Sequence, residues 1–264
     1  VLLIWSSTGL IIFLDSLPAR TYRRSIAGAT VLAVLAFAGL WTTRDDTGVS
    51  AAYVAFTCAT LIYGWHKMSF YMGLIAGPRR VACPEACGGA RHFWHAVQTI
   101  LYHELLVVVT AIALAAISWG HANQIGLWTF LILWWMQQAA RLNVFWGVRN
   151  LNAELLPAHL HYLGRYFRRR AINPFFPLSV TIPAITAMLL LGRAFSAASD
   201  YEAISLTFLG ALLVAAILEI VMLMLPLPER WTRLDASAAH WTPKLPRWLG
   251  GAASLVPAPR EANR

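Results

Sequence analysis

Apolar runs of about 20 residues, separated by short polar loops, leave this chain few ways to fold. A helix of that length crosses a hydrocarbon core of about 30 Å with its backbone groups paired internally. The 264 residues are 58% hydrophobic and only 12% charged, where a soluble domain carries about 25% charged residues. The expected fold is all-α: a polytopic integral membrane protein, a seven-transmembrane-helix bundle over residues 1–226. A basic, Pro-rich cytoplasmic tail follows at 227–264.

The spans read as about 1–14, 25–41, 49–71, 93–119, 125–148, 175–195 and 203–225. The first is short. The chain opens at Val1 inside an apolar run, as expected of a first helix cut at its start or of a processed start. Nearly all of the 21 Lys and Arg fall in the first, third and fifth loops and the tail; the alternate loops hold only Arg44 and Arg193. That asymmetry places the odd loops and C-terminus in the cytoplasm and the N-terminus outside. It also accounts for the net charge of +9 without a nucleic-acid partner. The expected partner is the lipid bilayer. Trp5, Trp41, Trp119, Trp146 and Trp231 lie near span ends, as interfacial aromatics do. The three cysteines, Cys58, Cys83 and Cys87, make no disulfide framework and fit a reducing compartment.

Ionisable groups inside apolar runs are costly and call for a reason. At about 1.5 Å of rise per residue, His103 and Glu104 lie roughly 15–17 Å above the cytoplasmic boundary. Gln137 and Gln138 return to that height on the next span, because the uncharged turn 120–124 makes the two spans antiparallel neighbours. Arg141 lies roughly 10 Å up and can climb toward Glu104. Glu219 is near Arg141's height, and His66 and Lys67 sit below mid-depth. These eight residues form an expected buried polar layer, in which Lys67 and Arg141 balance Glu104 and Glu219. Trp134 and Trp135 read as lipid-facing or core packing.

One face of the fourth span carries Thr99 and His103, each about 20° from His92, with His95 about 60° aside. Imidazole is the commonest metal ligand, so His95 and His103 are candidate pigment or metal ligands. Bridging between helices is the other reading, and the spacing matches neither HExxH nor the paired ExxH pattern. Cys83 and Cys87 enclose Pro84-Glu85-Ala86, where a zinc or redox pair is more often CxxC. With His92 and His95 nearby, a metal site is one reading; a loop held by Pro84, Gly88 and Gly89 is the other. Arg79 and Arg80, like Arg168, Arg169 and Arg170, are candidate contacts for a cytoplasmic partner or an anionic headgroup. As topology determinants they need neither. His159 and His161 are a weak signal. No Ser/His/Asp order, phosphate-binding Gly-rich loop or CxxCH haem attachment occurs, so no motif demands catalysis and no catalytic residue is assigned.

At GPRRVACPEA (77–86), LYHEL (101–105) and RLNVFWGVRNLNAELLPAHLHYLGRYFRRRAINPFFPLSV (141–180), the chain resembles the PuhE family of photosynthetic complex assembly proteins. The resemblance runs from about the third span through the seventh. It implies a multi-pass protein of the bacterial inner membrane (cytoplasmic or intracytoplasmic), linked to reaction-centre gene clusters. The implied role is assembly or regulation of the photosynthetic reaction centre and light-harvesting complex, or bacteriochlorophyll supply to them. Reaction-centre or light-harvesting subunits would be its partners. The cofactor stays open; bacteriochlorophyll or a precursor, held transiently, is the implied group. Two alternatives remain. One is an integral-membrane metal- or haem-dependent enzyme acting on a lipophilic or tetrapyrrole substrate through His103 and Glu104. The other is a small transporter, against which the lack of an internal repeat weighs.

Overall fold

Alanine spacing lets the second described helix pack against four of the other five. A computed structural model describes residues 19–84, 87–150 and 156–225. They form α1 (Ala19–Thr43), α2 (Val49–Tyr71), α3 (Gly89–Ser118), α4 (Ile125–Trp146), a 3-10 helix (Ala158–Tyr166), α5 (Phe176–Phe195) and α6 (Asp200–Met224). Helix α2 buries Ala51, Ala52, Ala55 and Ala59 among larger residues, and small side chains let neighbouring backbones approach closely. It packs on α1, α4, α6 and α3; the other principal contacts are α5 with α6, α4 with α6, and α3 with α4. One apolar core joins Leu40 of α1, Phe56 and Ile62 of α2, Val107 of α3, Phe130 of α4 and Leu212 of α6.

Four helices are long and apolar enough to cross a membrane: Thr21–Thr43 within α1, then α3, α5 and α6. Their outward faces carry large apolar side chains with no protein cover, such as Leu35, Val109, Ile112 and Met188. Apolar surface on this scale needs lipid. The described residues are therefore all-α, and the four candidate spans are those of a multi-pass membrane protein.

The six described α-helices follow the expected segments, with shifts that have local causes. Helix α2 runs over 49–71 as expected. Helix α1 begins at Ala19, not Ser25, so Arg23 and Arg24 ride on its first turns; no Gly or Pro breaks 19–25. Helix α6 begins at Asp200, not Ala203, because Ser199 accepts the Glu202 N–H at 3.2 Å while Glu202 accepts the Ala198 N–H at 3.2 Å. This reciprocal cap pulls the expected acidic turn into the helix, where its charge suits the dipole. The expected first span (1–14) and tail (227–264) lie outside the described residues.

The described part of the basic fifth loop has structure of its own. Its 3-10 helix buries Leu160, Leu163 and Tyr166, and the two leucines pack on Phe70 and Ala76. Backbone pairing of Val148 with Arg168 and Arg170 returns the chain toward α5. Asn173 then clamps the turn. Its amide donates to Asn143 Oδ1 at 3.1 Å and Gly147 O at 2.8 Å, and its Oδ1 accepts the N–H groups of Phe175 and Phe176. Asn143 passes the network on to Ser179 at 2.8 Å. Both asparagines are fully buried. Asn123 does the same at the opposite end. It ties to Thr43 O at 3.0 Å and accepts the Tyr201 hydroxyl at 2.9 Å, joining the α1–α2 turn, the α3–α4 turn and α6.

Asn173→Ala orphans several buried groups at once, and should destabilise the fold by roughly 2–4 kcal/mol. Thermal unfolding in detergent measures this; an unchanged midpoint would show that the clamp is dispensable.

Candidate functional site

Glu104 is the one carboxylate of α3, and three side chains of α4 converge on it. Trp134 Nε1 donates to Oε2 at 3.0 Å, Gln138 Nε2 donates to the same oxygen, and Arg141 Nη1 pairs with Oε1. The donors sit at i, i+4 and i+7 of α4, one stripe of that helix. Glu104 and Arg141 are each about a fifth exposed. The Arg141 guanidinium also lies over the Phe70 ring, 5.5 Å from its centroid.

Histidines back this pair on the buried side. His103 Nε2 is 3.9 Å from Glu104 Oε1, and its ring meets those of Phe70 and His66 at 5.1 and 6.1 Å. His66 Nε2 lies 3.0 Å from Thr110 Oγ1, joining α2 to α3. Both imidazoles are at most 3% exposed, and each has an Nδ1 without a hydrogen-bond partner.

Beside the pair opens a cleft of about 650 Å³, walled by the ends of α2, α4 and α6, the start of α3 and the 3-10 helix. Its walls are mainly apolar. Lys67, Gln137, Gln138, Arg141 and Glu219 supply polar groups. Arg141 is held by Glu104, whereas among the described residues Lys67 and Glu219 close no ion pair within 4 Å.

Most residues of the expected layer thus meet in one region, with two corrections. Glu219 is not buried: α6 turns Ala216 and Ile220 inward, and Glu219, about 100° from Ile220, is exposed at the rim of the cleft. Lys67 and Glu219 also do not join Glu104 and Arg141 in a closed four-charge set. Of the two candidate ligands, His103 is enclosed by side chains and does not line the cleft. His95 lies outside it, beside Cys83 and Cys87. Burial, and then the Cys87 thiol next to it, push the Cys83 thiol up to about 11.

The arginines divide. Arg79 Nε donates to Tyr166 Oη at 2.8 Å, which occupies it inside the protein. Arg168 lies near the Phe145 ring at 5.7 Å. Arg80, Arg169 and Arg170 are exposed. His159 Nε2 donates to Tyr71 O at 2.7 Å and caps α2; His161 turns back to Leu156 O. Trp134 was not expected here, and only its spacing from Gln138 and Arg141 marks it. Trp135, one step round the helix, is exposed as expected of lipid contact.

An all-α, multi-pass membrane protein with a paired carboxylate beside an apolar cleft is the class this arrangement defines. The chain belongs to the family described as "Protein of unknown function (DUF3623)", whose model matches residues 1–236. It is 33% identical over 234 residues to an uncharacterized 30.4 kDa protein in the puhA 5' region of Rhodobacter capsulatus, covering 86% of this chain and 85% of that one. No solved structure matches the chain.

Glu104→Leu leaves the Arg141 guanidinium unpaired among apolar helices and should cost about 2–4 kcal/mol, read as folded yield after solubilisation. Adding Arg141→Met should restore part of that yield. Full yield from Glu104→Leu alone would show that the pair does not support the fold.

Proposed function

We propose that this protein is an assembly factor of the bacterial inner membrane that holds bacteriochlorophyll or a precursor transiently on its way to reaction-centre or light-harvesting subunits. The observation that carries this reading is the cleft. Its volume and apolar walls suit part of a large lipophilic ring or its hydrocarbon tail, and pockets of 300–1,000 Å³ with few polar groups are typical small-molecule sites. Lys67 at the wall and Glu219 at the rim can address polar substituents of such a ligand. The R. capsulatus relative, placed in the puhA 5' region, agrees with the link to reaction-centre gene clusters implied by the PuhE resemblance.

In this reading all seven apolar segments cross the bilayer, α2 and α4 as inner spans shielded by the others. The N-terminus is outside, and the 227–264 tail and the basic loops are cytoplasmic. Arg80, Arg168, Arg169 and Arg170 face the headgroups or a docking subunit. No catalytic step is needed. Site-specific labelling of single cysteines from either side of sealed vesicles tests the topology. Positions 44 and 193 should label from outside and position 80 from the cytoplasm; labelling of all three from one side would break the seven-span arrangement.

The functional test is an absorption spectrum of gently solubilised, affinity-purified protein from a phototrophic host, with co-purifying subunits identified. Bacteriochlorin absorption or reaction-centre subunits should accompany the wild type, and Lys67→Leu/Glu219→Leu should reduce the pigment severalfold. A colourless wild type without either partner would overturn the reading.

A further inference from the structure

Four donors for a soft or borderline metal meet outside the cleft. Cys83 and Cys87 come from the loop ahead of α3, and His92 and His95 from the first turns of that helix. The two histidines, three residues apart, are neighbours on one side of α3. The Cys87 N–H donates to Pro84 O at 3.0 Å, which holds Cys87 close to the residue that follows Cys83. His92 Nδ1 lies 3.2 Å from Cys83 Sγ. His95 Nδ1 lies 3.2 Å from Cys87 Sγ and 3.7 Å from Cys83 Sγ. One ligand atom from each of Cys83, Cys87 and His92 falls within 4.8 Å of the others; His95 reaches both thiols but is not a member of that three-residue group.

These separations have a metric meaning. Zn–S bonds of about 2.3 Å and Zn–N bonds of about 2.0–2.1 Å, set at the tetrahedral angle, hold sulfur and nitrogen about 3.5 Å apart. The three separations straddle that value. Hydrogen bonding alone explains the group less well: a thiol is a weak donor, and His95 Nδ1 would have to be shared between two sulfurs.

We propose that Cys83, Cys87, His92 and His95 form a structural Cys2His2 site for one zinc-class dication at the N-terminal end of α3. Four protein ligands fill the tetrahedral shell and leave no open position, which separates structural from catalytic zinc sites. Binding releases the thiol protons to solvent, and zinc undergoes no redox change. The site also reaches the cleft. The His92 ring stacks on Phe145 and Tyr166, with centroids 5.4 and 5.6 Å apart, and both aromatics line the cleft. Tyr166 in turn holds Arg79 and donates to Val81 O at 3.0 Å. The metal would thus fix the His92 ring against one wall of the cleft and fasten the loop that Tyr166 holds through Arg79 and Val81.

The test uses the full chain, purified in detergent under reducing conditions. Elemental analysis should find about one zinc per chain. Exchange with cobalt(II) should produce a thiolate-to-cobalt charge-transfer band and tetrahedral d–d bands. Chelation should increase maleimide labelling of Cys83 and Cys87 severalfold and leave the buried Cys58 unchanged. Cys83→Ser/Cys87→Ser should lose the metal, whereas Cys58→Ser keeps it. Wild type that holds no zinc and gives no cobalt–thiolate band overturns the proposal. So does full metal content in Cys83→Ser/Cys87→Ser. If that variant does not fold, the cobalt spectrum and the labelling of the wild type decide alone. None of these readouts depends on pigment, so the assembly reading stands or falls separately.

Discussion

The carboxylate of Glu104 cannot lie unpaired between apolar helices, and much of the arrangement around it follows from that one constraint. A desolvated charge is tolerated only with a close counter-charge and hydrogen bonds to its remaining lone pairs. Helix α4 supplies both, from Trp134, Gln138 and Arg141 on a single stripe. Meeting that requirement fixes the rotation of α4 about its axis and its height against α3. Once those are set, Phe130 and Leu133 fall into the core and Gln137 turns to the cleft. The ion pair therefore acts less as a source of net stability than as a selector of one register among many that apolar surfaces alone would accept. Apolar helices in lipid have little hydrophobic reason to prefer one mutual rotation over another.

What could be read from the chain, and what could not, divides along the range of the forces involved. Helical segments were legible because apolar runs and helix breakers act locally; Gly48 before Val49 and the positive-φ Gly73 after Tyr71 bound α2 where expected. The meeting of Glu104 with Gln138 and Arg141 was legible because a short turn makes α3 and α4 antiparallel, so height follows from counting residues. Azimuth was not. Glu219 has the right height, but nothing in a helix as uniformly apolar as α6 reveals which side faces inward. Ser199 and Glu202 carry a capping signature that the acidic reading of that turn passed over. Asn123, Asn143 and Asn173 look like ordinary loop and helix-end residues. Their importance arises only when two distant turns are folded together.

The Cys/His group shows the same boundary. Two cysteines four positions apart depart from the usual metal spacing, and two histidines three apart on a helix are common. Neither pair is informative by itself. Only when the loop doubles back on the first turns of α3 do the four side chains become one chemical unit. The group lies outside the cleft and reaches it only through the His92 ring, which stacks on Tyr166 of the cleft wall.

Gly77 has no side chain, and the loop uses that to lie on the spine of α3. A β-carbon there would come within 2.0 Å of Gln98 O and 2.5 Å of the Thr99 carbonyl carbon. On either side, the His103 N–H donates to Ala76 O at 2.9 Å and the Arg79 N–H to Gln98 O at 3.4 Å. A strap pinned backbone to backbone has no rotamers through which to slip, unlike one held by long side chains. Loop and helix consequently form one lever. The 76–79 strap therefore shares the position of α3, whose outer face bears Trp94, Tyr102 and Ile112.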